Sequence, residues 1–450
     1  MLLRSTIYQR VWRFAWPAII SNISVPLMGL VDSAILGHLP SAEYLGGVAI
    51  GATIFSFLFW AFGFLRMGTT GLVAQAYGRG DHDALGQWLL QSVILALMIG
   101  LVIVILSPLI IDPVLSLFGG SKQVSEQARI YFEIRIFSTP AVLCNYVVVG
   151  WLLGVQKPKG PLVILVVANS VNILLDLLLV LKLGMATEGA AAATVIADYV
   201  GLSLGLLLIW KWRKICGNFE RMLDWARLID LSAFKKLLLL NRHLFVRTLC
   251  LLFVQAFFTA AGAKQGDEVL AANALLLNLL VFISNGLDGF AHAAEAMVGE
   301  ALGQKKLKKF RCIVMVTGYF SMIFGLLLML LLAVGGVWLL GIMTNIAEVR
   351  DISRIYLPWL IATPLIAVWC YWLDGIFIGA LESRIMQHTA IIATIGVFLP
   401  CWYAAQALGN HGLWLAYSLF MAARGIGLLL AYRWLDVRNS WRLAGGIDGK

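Results

Sequence analysis

Apolar stretches of about 20 residues follow one another from end to end of the 450-residue chain, separated by short polar segments. A helix of that length crosses roughly 30 Å of hydrocarbon. Twelve such spans are read near 14–37, 47–76, 85–111, 129–154, 161–182, 189–210, 243–262, 270–299, 312–341, 353–380, 388–408 and 411–434. Their continuity excludes a β-barrel, whose strands would alternate in polarity over segments of about ten residues. The first stretch follows Arg4, Arg10 and Arg13, yet it is long, holds Pro17, Pro26 and Asp32, and lacks a small-residue cleavage site. It is read as a retained helix rather than a signal peptide. Composition agrees, because 61% hydrophobic and 13% charged residues present more apolar surface than a soluble core can bury. The solvent must be a lipid bilayer.

The basic residues fix an orientation. They crowd alternate segments, above all 211–242 and the run Lys305, Lys306, Lys308, Lys309 and Arg311. Such loops stay on the cytoplasmic side, so both termini are expected there. The net charge of +10 follows from this alternation and not from a nucleic-acid-binding face. The six cysteines, Cys144, Cys216, Cys250, Cys312, Cys370 and Cys401, fall in spans or cytoplasmic segments, which leaves no external disulfide framework or CxxC metal site. No cofactor is expected.

The chain also repeats itself. Gly37 and Gly262, Leu45 and Leu270, Ala49 and Ala274, Ala76 and Ala301, Gly78 and Gly303, and Gly154 and Gly379 are all 225 residues apart, and Pro140 and Pro364 are 224 apart. The expected architecture is an all-α membrane protein of twelve transmembrane helices. Two six-helix lobes, 1–210 and 243–450, are joined by a cytoplasmic linker at 211–242. An even number of helices per copy gives both lobes one orientation, related by a pseudo-two-fold axis along the membrane normal. Transporters built this way hold substrate between two rocking halves; an ion channel fits the arrangement less well.

Polar residues inside the spans are the candidate chemistry, since hydrocarbon makes them expensive. Asp32 stands where the second copy has Phe257. Helical rise puts Asp32 roughly 27 Å and Asp176 about 22 Å from the cytoplasmic starts of their spans, and Thr194 about 7 Å from its outer end. Asn169, Asn172 and Asp176 are spaced by three and four, on one helix face. A carboxyl in this outer half-lobe cluster has its charged form disfavoured by desolvation, which suits it to proton exchange. The alternative is a set of polar groups that only hold helices together, which is the favoured reading for Asn169. Pro26 and Pro17 remove helical hydrogen bonds before Asp32 and make bending there inexpensive. A second cluster, Asp288, His292 and Glu295 at i, i+4 and i+7, lies nearer the cytoplasm, and Arg66 would match position 291. These four read either as a gate or cavity lining or as a solvated charge pair. Asp374 falls at the cytoplasmic end of its span and reads as an interfacial charge.

The runs WPAIISNISVPLMGLVDSAILGHL, LRMGTTGLVAQAYGRGD, NSVNILLD and GAAAAT, in this order and spacing, resemble the multidrug and toxic compound extrusion (MATE) transporters, in particular their DinF-like branch. The likeness covers essentially the whole chain. It implies a V-shaped, monomeric transporter in a bacterial inner (cytoplasmic) membrane, exporting amphipathic or cationic organic compounds against protons or Na⁺ by alternating access. By motif, the coupling residues of such proteins fall on Asp32, Asn172, Asp176 and Thr194, with Pro26 as the hinge of the first helix. NorM-like relatives use acidic residues of the second lobe for Na⁺, whereas this chain offers Gln255 in its seventh span. That departure favours protons, although the oxygens of Asp32, Asn172, Asp176 and Thr194 also suit Na⁺. A lipid-intermediate flippase of the same architecture would need a strongly basic cavity, and apart from residues at the very ends of the spans these hold only Arg66, Arg135, Arg247 and Arg424. An enzyme is not expected, since no HExxH, GxSxG or phosphate-cradling loop lies at an interface.

Overall fold

The computed structural model describes residues 2–36, 42–118, 121–216 and 231–441; within these, the side chains of 2–5, 25–34, 36, 42, 117, 118, 231 and 233 fall outside the description. The central part of the expected linker, 217–230, is likewise outside the described residues. The described chain is helical, without a strand. Its first eight helices are α1 (Leu2–Leu36), α2 (Ala42–Ala61), α3 (Phe64–Arg79), α4 (His82–Phe118), α5 (Lys122–Arg135), α6 (Thr139–Gly154), α7 (Lys159–Asp176) and α8 (Ala186–Lys211). The rest are α9 (Leu231–Ala263), α10 (Asp267–Gly303), α11 (Leu307–Met343), α12 (Ala347–Gly379), α13 (Ser383–Ile391), α14 (Leu399–Ala404) and α15 (Asn410–Val437).

Among the described residues, eleven helical segments are long and apolar enough to cross a membrane, and they meet the second to twelfth expected spans one for one. The first span lies within α1, whose 35 residues run about 50 Å at the helical rise. The protein is a helical membrane protein. Several crossings are interrupted for identifiable reasons. In the fourth span Pro140 cannot donate to the preceding turn, and Ile136–Ser138 tightens into a 3₁₀ turn between α5 and α6. The Ser138 hydroxyl then donates to the Arg135 carbonyl at 2.9 Å. The fifth and eleventh spans each contain a wide π-helical turn, Leu177–Lys182 and Ile392–Phe398.

The repeat read from residue identities is also a repeat of backbone and packing. Left-handed residues recur 225 apart: Gly80 (φ 71°) with Lys305 (56°), Gln156 (63°) with Leu381 (60°), and Gly184 (67°) with Gly409 (54°). Helix approaches recur at the same offset. A Cβ on Gly150 would sit 2.5 Å from the Arg66 carbonyl oxygen, and one on Gly375 would sit 2.3 Å from that of Ala291. One turn on, Gly154 would meet Ala74 N at 3.1 Å and Gly379 would meet Gly299 N at 3.0 Å. Thus α6 lies against α3 as α12 lies against α10, through backbone contacts that any side chain would push apart.

By packing, the chain divides into Ser24–Leu237, the N-half, and Met1–Ile23 with Leu238–Lys450, the C-half. The first 23 residues, expected with the N-terminal lobe, thus pack with the second. Tyr8 meets Phe320 edge-on at 5.6 Å, Trp12 lies 6.4 Å from Phe290, and Asn22 Nδ2 donates to the Asn285 carbonyl at 3.2 Å. Gly289 gives Ile19 its room, since a Cβ there would fall 2.2 Å from the isoleucine side chain. The N-half core gathers Val48, Phe55, Phe59, Tyr131, Phe132, Val180 and Ala191, and the C-half core gathers Phe258, Leu276, Phe398, Trp414, Tyr417 and Phe420.

Because Gly375 faces a carbonyl, Gly375→Val is expected to cost about 1–3 kcal/mol by overpacking. Gly335, which has nothing within 4 Å, should accept Ala with a gain of up to about 1 kcal/mol. Thermal unfolding of the purified variants checks both; equal melting temperatures would remove the close approach as the reason for the glycine.

Candidate functional site

Helix α7 brings Asn172 and Asp176 onto one face, and both side chains are buried. The adjoining α8 supplies Thr194, whose hydroxyl accepts from Asn172 Nδ2 at 3.3 Å and donates to the Ala190 carbonyl at 2.8 Å. The π-helical turn begins directly after Asp176, where a widened helix displaces backbone groups from their usual partners, a feature common at functional positions. Asp32 and Pro26 lie in the helical backbone of α1, but their side chains are outside the described residues. Ile35, one turn beyond Asp32, is buried in the same hydrophobic cluster as Val180, Ala190 and Ala191. Asn169 is only half-buried. At the 225-residue offset the C-half has Phe257, Val397, Cys401 and Leu419 in place of Asp32, Asn172, Asp176 and Thr194. Phe257 there packs edge-on against Phe398 at 5.4 Å and Trp402 at 6.3 Å, beside a cavity of about 340 Å³. One half offers oxygens where the other offers apolar side chains.

Deeper in the N-half lies an ion pair that sequence reasoning passed over. Arg135, aimed by the break between α5 and α6, is bound to Asp198 of α8 and to the Ser138 hydroxyl. Asp198 is four residues beyond Thr194, on the same helix face. That spacing was the available signal. Arg66 is half-buried near the start of α3. Its carbonyl accepts from the Thr70 hydroxyl at 2.9 Å.

Asp288, His292 and Glu295 belong to the C-half, on one face of α10, with Glu295 wholly buried and the other two half-buried. Two further charge clusters occur in this half. Asp374 is buried, and its Oδ2 accepts from Arg247 of α9 and, at 2.7 Å, from Arg424 of α15. Asp374, read from the sequence as an interfacial charge, lies five residues before the end of α12 and is buried against α9 and α15 through these two arginines. At the end of α10, Glu300 accepts from both terminal nitrogens of Arg10, from Lys309 at 2.8 Å and from Gln304 at 3.0 Å. Among the described residues no group of three or more His, Cys, Asp or Glu converges as a metal site.

An all-helical membrane protein made of two repeated bundles, with buried ionisable groups confined to different places in each, is the class that fold and site define. The MatE family model matches residues 17–178 and 244–403, and the chain belongs to that family. It is 44% identical over 427 residues to DNA damage-inducible protein F of Escherichia coli (strain K12), covering 94% of this chain and 91% of that protein. It is 22% identical to the probable multidrug resistance protein NorM of Acinetobacter baylyi, covering 97% of each. Among solved structures, a mutant of the Vibrio cholerae MATE transporter VcmN superposes with a TM-score of 0.86 at 21% identity, covering 98% of this chain and 99% of that one. A MATE crystal structure in the bent conformation gives 0.85 at 19% identity, covering 98% and 97%. These likenesses establish the fold.

Replacing Asp374 with Asn removes the carboxylate shared by two buried guanidiniums and is expected to destabilise the protein by about 3–5 kcal/mol. Asn172→Ala, which removes one neutral hydrogen bond, should cost about 1 kcal/mol. Denaturant or thermal unfolding in detergent measures the contrast; equal losses would show that Asp374 is not the counter-ion of Arg247 and Arg424.

Proposed function

We propose that the protein is a secondary active exporter that exchanges amphipathic or cationic organic compounds for protons by alternating access, with the protons read in the N-half at Asp32, Asn172, Asp176 and Thr194. The observation that carries the reading is the buried face of Asn172 and Asp176 joined to Thr194, replaced by apolar residues at the repeat-related positions. A scaffold role would be needed in both copies; a coupling role is needed in one. The family and the multidrug resistance relative support the cargo class. The protein acts as a monomer in a bacterial inner membrane, both termini in the cytoplasm, with Pro26 as the hinge of the first helix.

In this reading, ionised carboxylates accept the cationic or amphipathic cargo and protonation from outside favours its release. One proton exchanged for one monovalent cation moves no net charge. Only the pH difference then drives export, at about 1.4 kcal/mol per unit. Two protons per cation would add about 2.3 kcal/mol for each 100 mV of membrane potential.

In proteoliposomes an imposed pH gradient is expected to drive efflux of a cationic dye, an imposed Na⁺ gradient is not, and Asp32→Asn and Asp176→Asn should each abolish the pH-driven flux. Efflux driven by Na⁺ alone would assign the same oxygens to Na⁺. Wild-type rates in both variants would remove the N-half cluster from coupling.

A further inference from the structure

The Arg135 guanidinium is held the way a ligand is held. Its Cζ lies 5.6 Å from the centre of the Phe55 ring and 5.4 Å from that of Phe59. Its Nη1 donates to an Asp198 carboxylate oxygen and to Ser138 Oγ. Aromatic rings, a carboxylate and a hydroxyl acceptor around one cation are the set that recognises organic cations. Phe55, Phe59 and Arg135 are buried, whereas the Asp198 side chain is 23% exposed. The cage therefore has an open edge, at its carboxylate, on the α8 face that also carries Thr194.

The repeat argues against a purely architectural role. At the offset of 225 residues the C-half has Leu280, Ser284 and Ala423 in place of Phe55, Phe59 and Asp198. Arg135 falls opposite Trp359 or Leu360, depending on whether the 224 or 225 register is taken through the proline break. The corresponding helices α10, α12 and α15 pack together there without the cage. A charge pair placed inside a membrane in one copy and dispensed with in the other marks function over scaffold.

We propose that Phe55, Phe59, Ser138 and Asp198 form an organic-cation site of guanidinium size in which Arg135 is a tethered resident, and that cationic cargo of this class competes with Arg135 for Asp198. The proposal rests on the exporter reading for the word cargo alone; the site itself is a statement about binding. Its test is therefore thermal unfolding of purified full-length protein in detergent, titrated with methylguanidinium chloride against NaCl at equal ionic strength. Arg135→Ala should show a saturable rise in Tm with methylguanidinium only. The double variant Arg135→Ala/Asp198→Asn should show none, and the wild type should require at least about tenfold more ligand, because its own side chain is a tethered competitor. No difference between methylguanidinium and NaCl in Arg135→Ala, or an equal rise without Asp198, would overturn the site. If Arg135→Ala aggregates, it is prepared with methylguanidinium throughout: recovery with that salt but not with NaCl supports the site, and recovery with neither overturns it. Failure here would leave proton-driven efflux by the wild type untouched, so the two readings are separable.

Discussion

Hydrocarbon offers a buried charge no hydration, and the interior of each half is arranged around that constraint. Arg135 is met by Asp198; Arg247 and Arg424 share Asp374; Glu300 collects Arg10, Lys309 and Gln304. The backbone obeys the same rule, since in lipid its polar groups must be satisfied from within. Where Pro140 interrupts the fourth span, the chain tightens and the Ser138 hydroxyl takes up the Arg135 carbonyl. The break that Pro140 imposes is also what aims the arginine. A local repair of the helix and the placement of a charge are here one event.

Without a hydrophobic drive between helices in lipid, close packing of small residues has to hold the bundles. Gly150 and Gly154 in one half, and Gly375 and Gly379 in the other, let whole helices rest on facing backbone atoms. That leaves the other faces open to change, and the two copies have used the freedom differently. The N-half carries Asn172, Asp176, Thr194 and the Arg135 to Asp198 pair; the C-half carries aromatic packing at Phe257 and its own charge cluster at Asp374. The scaffold is symmetric, and the chemistry is not.

Much of this was legible in the residues. Continuous apolar runs located the crossings, because a helix in lipid needs length more than periodicity. The 225-residue offset foretold the paired helix approaches, because glycine identity and close contact are the same constraint seen twice. The face shared by Asn172 and Asp176 followed from helical spacing alone. The partners of Asp374 were not legible, because distance along a helix says nothing about what packs beside it, and Arg247 and Arg424 come from helices 127 and 50 residues away. Asp198 was missed for the same reason: its partner is fixed by a break in another helix. The packing of Met1–Ile23 with the C-half was equally invisible, since partners such as Asn285 and Glu300, 263 and 290 residues distant from Asn22 and Arg10, leave no mark on a hydropathy profile.

That last feature bears on how the protein is made. The N-half helices find their partners within about 150 residues of chain, so most of that bundle can form while the rest is still being synthesised. The opening segment cannot finish with it. Arg10 is bonded to Glu300, 290 residues later, and Ile19 rests against Gly289. Helix α1 is thus synthesised well before α10 and α11, on which its face at Tyr8, Trp12 and Ile19 comes to rest.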